Sequence, residues 1–220
     1  MIKACIFDLD GTLADTLDSL AVVANGVMRD FGLRELPREN FKYYAGEGAT
    51  MLVKRCLRDA GDPDLTLLEE ADQVYRERFN ANQLYLVKAY EGMPETLQSL
   101  KEDGLFLGVC TNKPQEATLK VIHTLFGEGL FDDIVGQQPG LPRKPAPDGA
   151  LLLASHFGVK PEECMYIGDT ATDMQTGLGA GMFTVGALWG FRTREELVDN
   201  HAQELADSPA DLCRIWREHD

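Results

Sequence analysis

Phe7-Asp8-Leu9-Asp10-Gly11-Thr12 sets two carboxylates two residues apart at the end of a short apolar run. If that run is a strand that continues, alternation puts Asp8 and Asp10 on the same side. Two carboxylates so close need a cation or a proton between them. Gly11 lets the backbone turn and approach an anion. The pair reads as a metal-and-phosphate site with one carboxylate to spare; the ordinary alternative is an Asp-Gly turn after a strand. A later apolar run ends in Gly168-Asp169-Thr170-Ala171-Thr172-Asp173. Magnesium takes oxygen ligands in octahedral geometry. Asp8 and Asp169 from neighbouring strands could supply two, with Asp173 nearby. Asp173 could also be the N-cap or a first-turn acid of a helix, or serve both purposes.

Two further segments carry polar chemistry. Val109-Cys110-Thr111-Asn112-Lys113-Pro114 offers a hydroxyl and backbone amides ahead of a helix, which can make an anion site. The plainer alternative is that Thr111 or Asn112 only caps the helix. Arg143-Lys144-Pro145-Ala146-Pro147-Asp148 places Lys144 in a loop that prolines restrict. Most lysines are solvated surface residues, but this one is better aimed than most. Each segment has an ordinary explanation alone. Together, strand ends and adjacent loops offer acid pair, hydroxyl, lysine and acid pair, in that order. Lys113, Arg143 and Lys144 add local positive charge.

Elements that could position these groups follow from the apolar pattern. Ala4–Phe7, Leu105–Cys110, Ile134–Val135, Cys164–Ile167 and Phe183–Val185 read as buried strands. All but the last end near a polar or glycine-rich turn. Helices are expected over Pro94–Asp103, Pro114–Phe126 and Pro147–Phe157, each followed by glycine. This alternation predicts an α/β fold, a parallel sheet covered on both faces. The stretch from Asp15 to Val87 is instead helical throughout. One stripe runs Leu17, Leu20, Ala21, Ala24, Val27, Met28, Phe31, and another Ala49, Leu52, Val53, Cys56, Leu57, Ala60. Thr66 and Glu69 predict a capping box for a third helix running toward Gln83. Residues 15–87 are therefore expected to form a helical domain inserted in a core of residues 1–14 and 88–220, with hinges near Leu13–Thr16 and Leu86–Glu91. Thr193 and Glu196 predict another capping box, and Ser208-Pro209 opens a final helix.

The 220 residues suffice for such a core without disulfide or zinc staples. The formal charge is −15, from 21 Lys and Arg against 36 Asp and Glu. Nucleic acid and acidic membranes are thereby disfavoured as partners. The five cysteines are scattered, with neither zinc nor disulfide spacing. Free thiols in that number suit a reducing cytosol. No signal-peptide pattern or membrane span is evident, so a cytoplasmic protein is expected. The sequence leaves open a monomer or a weak homodimer.

With these motifs in order, the whole chain resembles the haloacid dehalogenase superfamily of phosphatases. Asp8–Thr12 matches its Asp-x-Asp-Gly-Thr motif, Thr111 its second-motif hydroxyl, Lys144 its third-motif lysine, and Gly168, Asp169 and Asp173 its Gly-Asp-x-x-x-Asp. The resemblance implies a Rossmann-like core with an inserted helical cap. Within the superfamily, Thr111-Asn112-Lys113-Pro114 and Ala45-Gly46-Glu47-Gly48 are similar to phosphoglycolate phosphatases.

The resemblance implies a Mg2+-dependent phosphatase acting on a small-molecule phosphomonoester. Asp8 would attack phosphorus, and Asp10 would protonate the leaving oxygen and then activate water. The metal would be held by Asp8, the Asp10 carbonyl and Asp169, with Asp173 orienting its waters or ligands. Thr111, Lys144 and the amides after Asp8, with Gly11 and Asn112, would hold the transferring oxygens. The cap would close over the substrate, making Tyr43, Tyr44, Gly46, Glu47 and Arg55 candidates for selectivity; packing and solvation of a small helical domain are the equal alternative. A mutase resembling β-phosphoglucomutase would use the same Asp8 and Asp10, but the acidic Gly46-Glu47-Gly48 stands where a basic grip on a distal phosphate would be expected. A receiver-type signalling domain lacks the helical insert. A non-catalytic binding protein on this fold would be expected to have lost a motif residue, and none is missing.

Overall fold

The computed structural model describes residues 1–219. The chain folds as two compact units, Met1–Asp15 with Lys88–Asp220, and Thr16–Val87.

The first unit is built on a six-stranded sheet. Its strands are β1 (Ala4–Phe7), β4 (Phe106–Pro114), β5 (Asp133–Gln137), β6 (Cys164–Gly168), β7 (Phe183–Ala187) and β8 (Glu204–Ala206). The spatial order is β5-β4-β1-β6-β7-β8, and every pairing is parallel. Central strands must be apolar on both faces when helices cover each side, and all four residues of β1 are buried. Ala4 and Ile6 join Cys110, Cys164 and Tyr166 under α7 (Asp148–Phe157). Helices α5 (Met93–Glu102), α6 (Gln115–Phe126), α8 (Ala171–Ala180), α9 (Arg194–Asp199) and α10 (Asp211–Glu218) complete the unit. Because β1 lies between β4 and β6, the ends of these three strands fall side by side. Parallel α/β sheets place ligands at that edge.

The strand–helix order is the predicted one, with differences that have physical causes. The edge strand β8 was not expected: it is three residues long, only Ala206 is buried, and so short a segment has no periodicity to read. At the predicted hinges, β2 (Ala14–Asp15) and β3 (Lys88–Ala89) pair as a small antiparallel ribbon. Thr193 accepts a bond from the Glu196 amide, but the Glu196 carboxylate takes the Ala171 amide and pairs with Arg192. Only half of that expected capping box forms.

The second unit contains α1 (Leu17–Asp30), α2 (Phe41–Tyr44), α3 (Ala49–Ala60) and α4 (Leu68–Ala81). The two predicted stripes supply much of its core, among them Leu20, Val27 and Met28 on α1, and Leu52, Val53, Cys56 and Leu57 on α3, joined by Phe41, Tyr44 and Tyr75. The Thr66–Glu69 capping box is corrected. The Asp62 carboxylate accepts from the Thr66 amide and hydroxyl at 3.0 Å each and from the Leu67 amide at 2.9 Å. Asp62 thus takes the Thr66 amide that the Glu69 carboxylate would have accepted, and α4 starts at Leu68.

Cys5, Cys56, Cys110 and Cys164 are buried free thiols. Burial pushes Cys110 up to about 11 and Cys56 and Cys164 up to about 12, so they behave as small apolar side chains.

Candidate active site

β1 delivers Asp8 to the carboxyl edge. Its pairing with β6 runs one residue past the strand, through a 2.9 Å bond from the Asp8 amide to the Ile167 carbonyl. Beyond it the chain closes a tight loop. The amides of Thr12, Leu13 and Ala14 all point to the Leu9 carbonyl, and the Gly11 amide donates to the Ala14 carbonyl. Gly11 has φ of +92°, and a Cβ there would lie 2.3 Å from Asp169 Oδ2. Glycine is required by both conformation and space.

β6 delivers Asp169 beside it. Asp169 is fully buried; its Oδ1 accepts from the Thr12 hydroxyl at 2.7 Å and its Oδ2 from the Phe191 amide at 2.8 Å. Asp173 sits in the first turn of α8 and caps it, the helix role expected of it. Its Oδ2 accepts from the Thr170 amide and hydroxyl, a capping box. Its Oδ1 accepts from Lys144 Nζ at 2.7 Å. Asp8, Asp169 and Asp173 form one buried cluster in which one oxygen from each lies within 4.8 Å of the others.

Lys144 enters from the loop before α7. Its Nζ also lies 2.8 Å from Asp8 Oδ1. That oxygen is buried with no hydrogen-bond partner, so the approach is an ion pair whose angles fall outside hydrogen-bond geometry. The loop is held by Asn112, whose side-chain amide donates to the Lys144 carbonyl (3.1 Å) and accepts from the Lys144 amide (2.9 Å). The Asn112 amide is thus spent on aiming Lys144. Thr111 is buried within β4, and its hydroxyl accepts from the Lys113 amide at 3.3 Å.

Three buried carboxylates face one ammonium, and the charges respond. Burial pushes Asp8 up to about 6; Lys144 opposes this, while Asp173 and Asp10 add to it. Burial, then the charges of Asp173 and Asp8, hold Asp169 well above the usual carboxylate range against the Phe191 and Thr12 bonds. For Lys144, burial works to lower the ammonium's pKa, but Asp173 and Asp8 prevail and hold it well above its ordinary value. Such a cluster is short of positive charge, and an all-oxygen donor set suits a hard divalent cation. With Lys144 answering only Asp8 and Asp173, the three carboxylates retain a surplus of negative charge that a divalent cation fits.

Asp10 stands apart from the cluster. Its two carboxylate oxygens lie 2.8 and 3.1 Å from Lys113 Nζ. Lys113 was visible in sequence merely as local positive charge; it is the buried partner of Asp10. Arg143 is exposed. Trp189, Gly190 and Phe191 were missed altogether. Phe191 bonds Asp169, and Trp189 Nε1 donates to the Thr12 carbonyl at 2.9 Å. The glycine just past β7 was the available signal, but the apolar run there ends without a polar turn.

Tyr44, Gly46, Glu47 and Arg55 lie in the second unit, where three of them share a network. Arg55 pairs with Glu47 and donates to the Tyr44 carbonyl at 3.1 Å, and the Tyr44 hydroxyl donates to Asp59.

The model of the family described as haloacid dehalogenase-like hydrolase matches residues 5–187. The chain belongs to the haloacid dehalogenase-like hydrolases. Its relatives in that family include the phosphoglycolate phosphatases of Aquifex aeolicus, 31% identical over 99% of this chain and 98% of that protein, and of Mannheimia succiniciproducens, 32% identical over 95% and 96%. A crystal structure described as a predicted phosphoglycolate phosphatase from Haemophilus somnus 129pt superposes with a TM-score of 0.90, at 26% identity over 98% of both chains. This haloacid dehalogenase-like hydrolase is a phosphatase. No helix among its described residues is long and apolar enough to cross a membrane.

Proposed function

We propose that the protein hydrolyses phosphoglycolate, or a phosphomonoester of similar size, through an aspartyl-phosphate on Asp8, with Mg2+ bound by Asp8, the Asp10 carbonyl and Asp169. One observation carries this reading. The buried carboxylate of Asp8 lies where Lys144, Asp169 and Asp173 converge, while the carboxylate of Asp10 is held by a different lysine. The two acids of one short motif are thus separated into different electrostatic settings, as nucleophile and proton carrier need to be.

When bound, Mg2+ would neutralise phosphate oxygens so that one anion can approach another. Asp8 attacks phosphorus, and the bond from phosphorus to the leaving oxygen breaks. Asp10 enters this step protonated and gives its proton to that oxygen. Water then attacks the phosphorus, its proton passes to Asp10, and the Asp8–phosphorus bond breaks. Lys144 and Thr111 hold the transferring oxygens, and Asn112 holds Lys144. The names of the relatives support phosphoglycolate as substrate.

The test is phosphate release from a panel of phosphoglycolate, pyrophosphate and sugar phosphates. Phosphoglycolate is expected to be the preferred substrate, with activity lost on chelation and restored by Mg2+. Interconversion of sugar phosphates without phosphate release would contradict the reading, as would normal turnover by Asp8→Asn.

A further inference from the structure

The segment after β7 contributes no group to the reaction as proposed, yet it grips two pieces of the site. Trp189 Nε1 donates to the Thr12 carbonyl at 2.9 Å, and the Phe191 amide donates to Asp169 Oδ2 at 2.8 Å. Between them Gly190 has no room for a side chain. A Cβ there would lie 2.2 Å from Asp169 Cβ and 2.5 Å from the Gly11 carbonyl. Those are backbone and near-backbone atoms that cannot swing aside. The Thr12 hydroxyl completes a ring by donating to Asp169 Oδ1 at 2.7 Å.

Asp169 is fully buried within 4.8 Å of two other carboxylates. Like charges at that range repel, and an unrestrained aspartate would rotate away from its neighbours. Each of its oxygens instead accepts one bond, and each keeps a second lone pair for a cation. The same segment ties down the loop that carries Asp8 and Asp10 through the Thr12 carbonyl.

We infer that Trp189-Gly190-Phe191 is the positioning element of the cation site: it fixes the Asp169 carboxylate and the Asp8–Thr12 loop in ligating geometry, and so sets divalent-cation affinity. The inference rests on the proposed Mg2+ site. Partners of metal ligands that act at one remove are worth 10–100-fold in affinity in general.

The test uses Mn2+ as probe on the full-length protein, its Trp189→Phe and Gly190→Ala variants, and Asp169→Asn as the control for the site. Free Mn2+ is read by electron paramagnetic resonance, with Mg2+ competition, in the absence of substrate. Trp189→Phe deletes one donor and keeps an aromatic ring; Gly190→Ala forces Asp169 or the segment to move. Each variant that remains folded is expected to bind Mn2+ about 10–100-fold more weakly. A purely structural role would lower the unfolding midpoint in chelator and leave this affinity alone. Binding within twofold of the parent by a folded Trp189→Phe protein overturns the inference while leaving the metal site standing. If the parent binds no Mn2+ that Asp169→Asn abolishes, the metal site and the inference fall together.

Discussion

The pair of Lys113 and Asp10 gives a prediction that can be worked through from geometry. Lys113 Nζ stands 2.8 Å from Asp10 Oδ1, with side chains 4% and 20% exposed. At an effective dielectric of about 20 the gross attraction is about 6 kcal/mol. Desolvation takes back most of it, chiefly on the lysine side. Exposed pairs retain roughly 0.2–1 kcal/mol in double-mutant cycles, whereas close, desolvated charge pairs couple by about 1.5–7 kcal/mol. One buried and one part-exposed partner place this pair near the low end of the second range. The expected coupling is about 2 kcal/mol, or about thirtyfold in an equilibrium constant. Lys113→Met and Asp10→Asn should each lower stability by about 3 kcal/mol, because each leaves a charge without its partner. The double variant should fall short of their sum by the coupling energy. The assay is urea unfolding of all four proteins at pH 7 in chelator, followed by tryptophan fluorescence; Trp189 and Trp216 lie in the same unit as the pair. Additive losses, with coupling under about 0.5 kcal/mol, would refute the reasoning.

Asn112→Ala removes both bonds to the Lys144 backbone. At roughly 1–3 kcal/mol for each of the two buried groups left unsatisfied, the loss should be about 2–6 kcal/mol by urea unfolding, with kcat reduced because Lys144 is no longer aimed. Metal-free protein should lose stability as pH rises. A carboxyl held at about 6 in the folded chain against an ordinary 3.8 binds more protons folded than unfolded between those values, so its contribution is intact below pH 4 and lost as pH passes 6. For Asp8 that contribution is about 3 kcal/mol. Saturating Mg2+ should therefore stabilise the protein more at pH 7.5 than at pH 4.5, as read by urea unfolding; equal stabilisation at both would contradict the burial argument.

What the sequence made legible, and what it hid, follows from the distance over which information must travel. Asp8–Thr12 and Gly168–Asp173 are contiguous, so their carboxylates could be placed near strand ends, but alternation did not hold for the first pair: β1 ends at Phe7, the chain turns, and Asp10 goes to Lys113 while Asp8 joins Asp169 and Asp173. The helical stripes of α1 and α3 are likewise local patterns, and both are buried except at their ends, Phe31 and Ala49, which are half-buried. The partners chosen by individual side chains were not legible. Lys113 reaches Asp10 across 103 positions and Trp189 reaches Thr12 across 177; such choices depend on rotamers and on which strands become neighbours. Competition among nearby polar groups was also hidden, as when Asp62 takes the donors around Thr66 and Glu196 turns to Ala171. Asn112 reads in sequence as a group for phosphate oxygens because it follows Thr111 in the motif. Its partner, the backbone of Lys144, could be found only once β4 and the loop before α7 were side by side.

The most direct test of the account is to trap the phosphoryl group on the enzyme. Asp10→Asn should still be phosphorylated by p-nitrophenyl phosphate, whose leaving group needs no proton, but should dephosphorylate slowly for want of a base. Acid quenching, borohydride reduction and peptide mass spectrometry should then find the acyl phosphate at Asp8 and nowhere else, and only when Mg2+ is present. A phosphoryl group on another residue, or steady-state hydrolysis by Asp10→Asn at the parent rate with no trapped species, would contradict it.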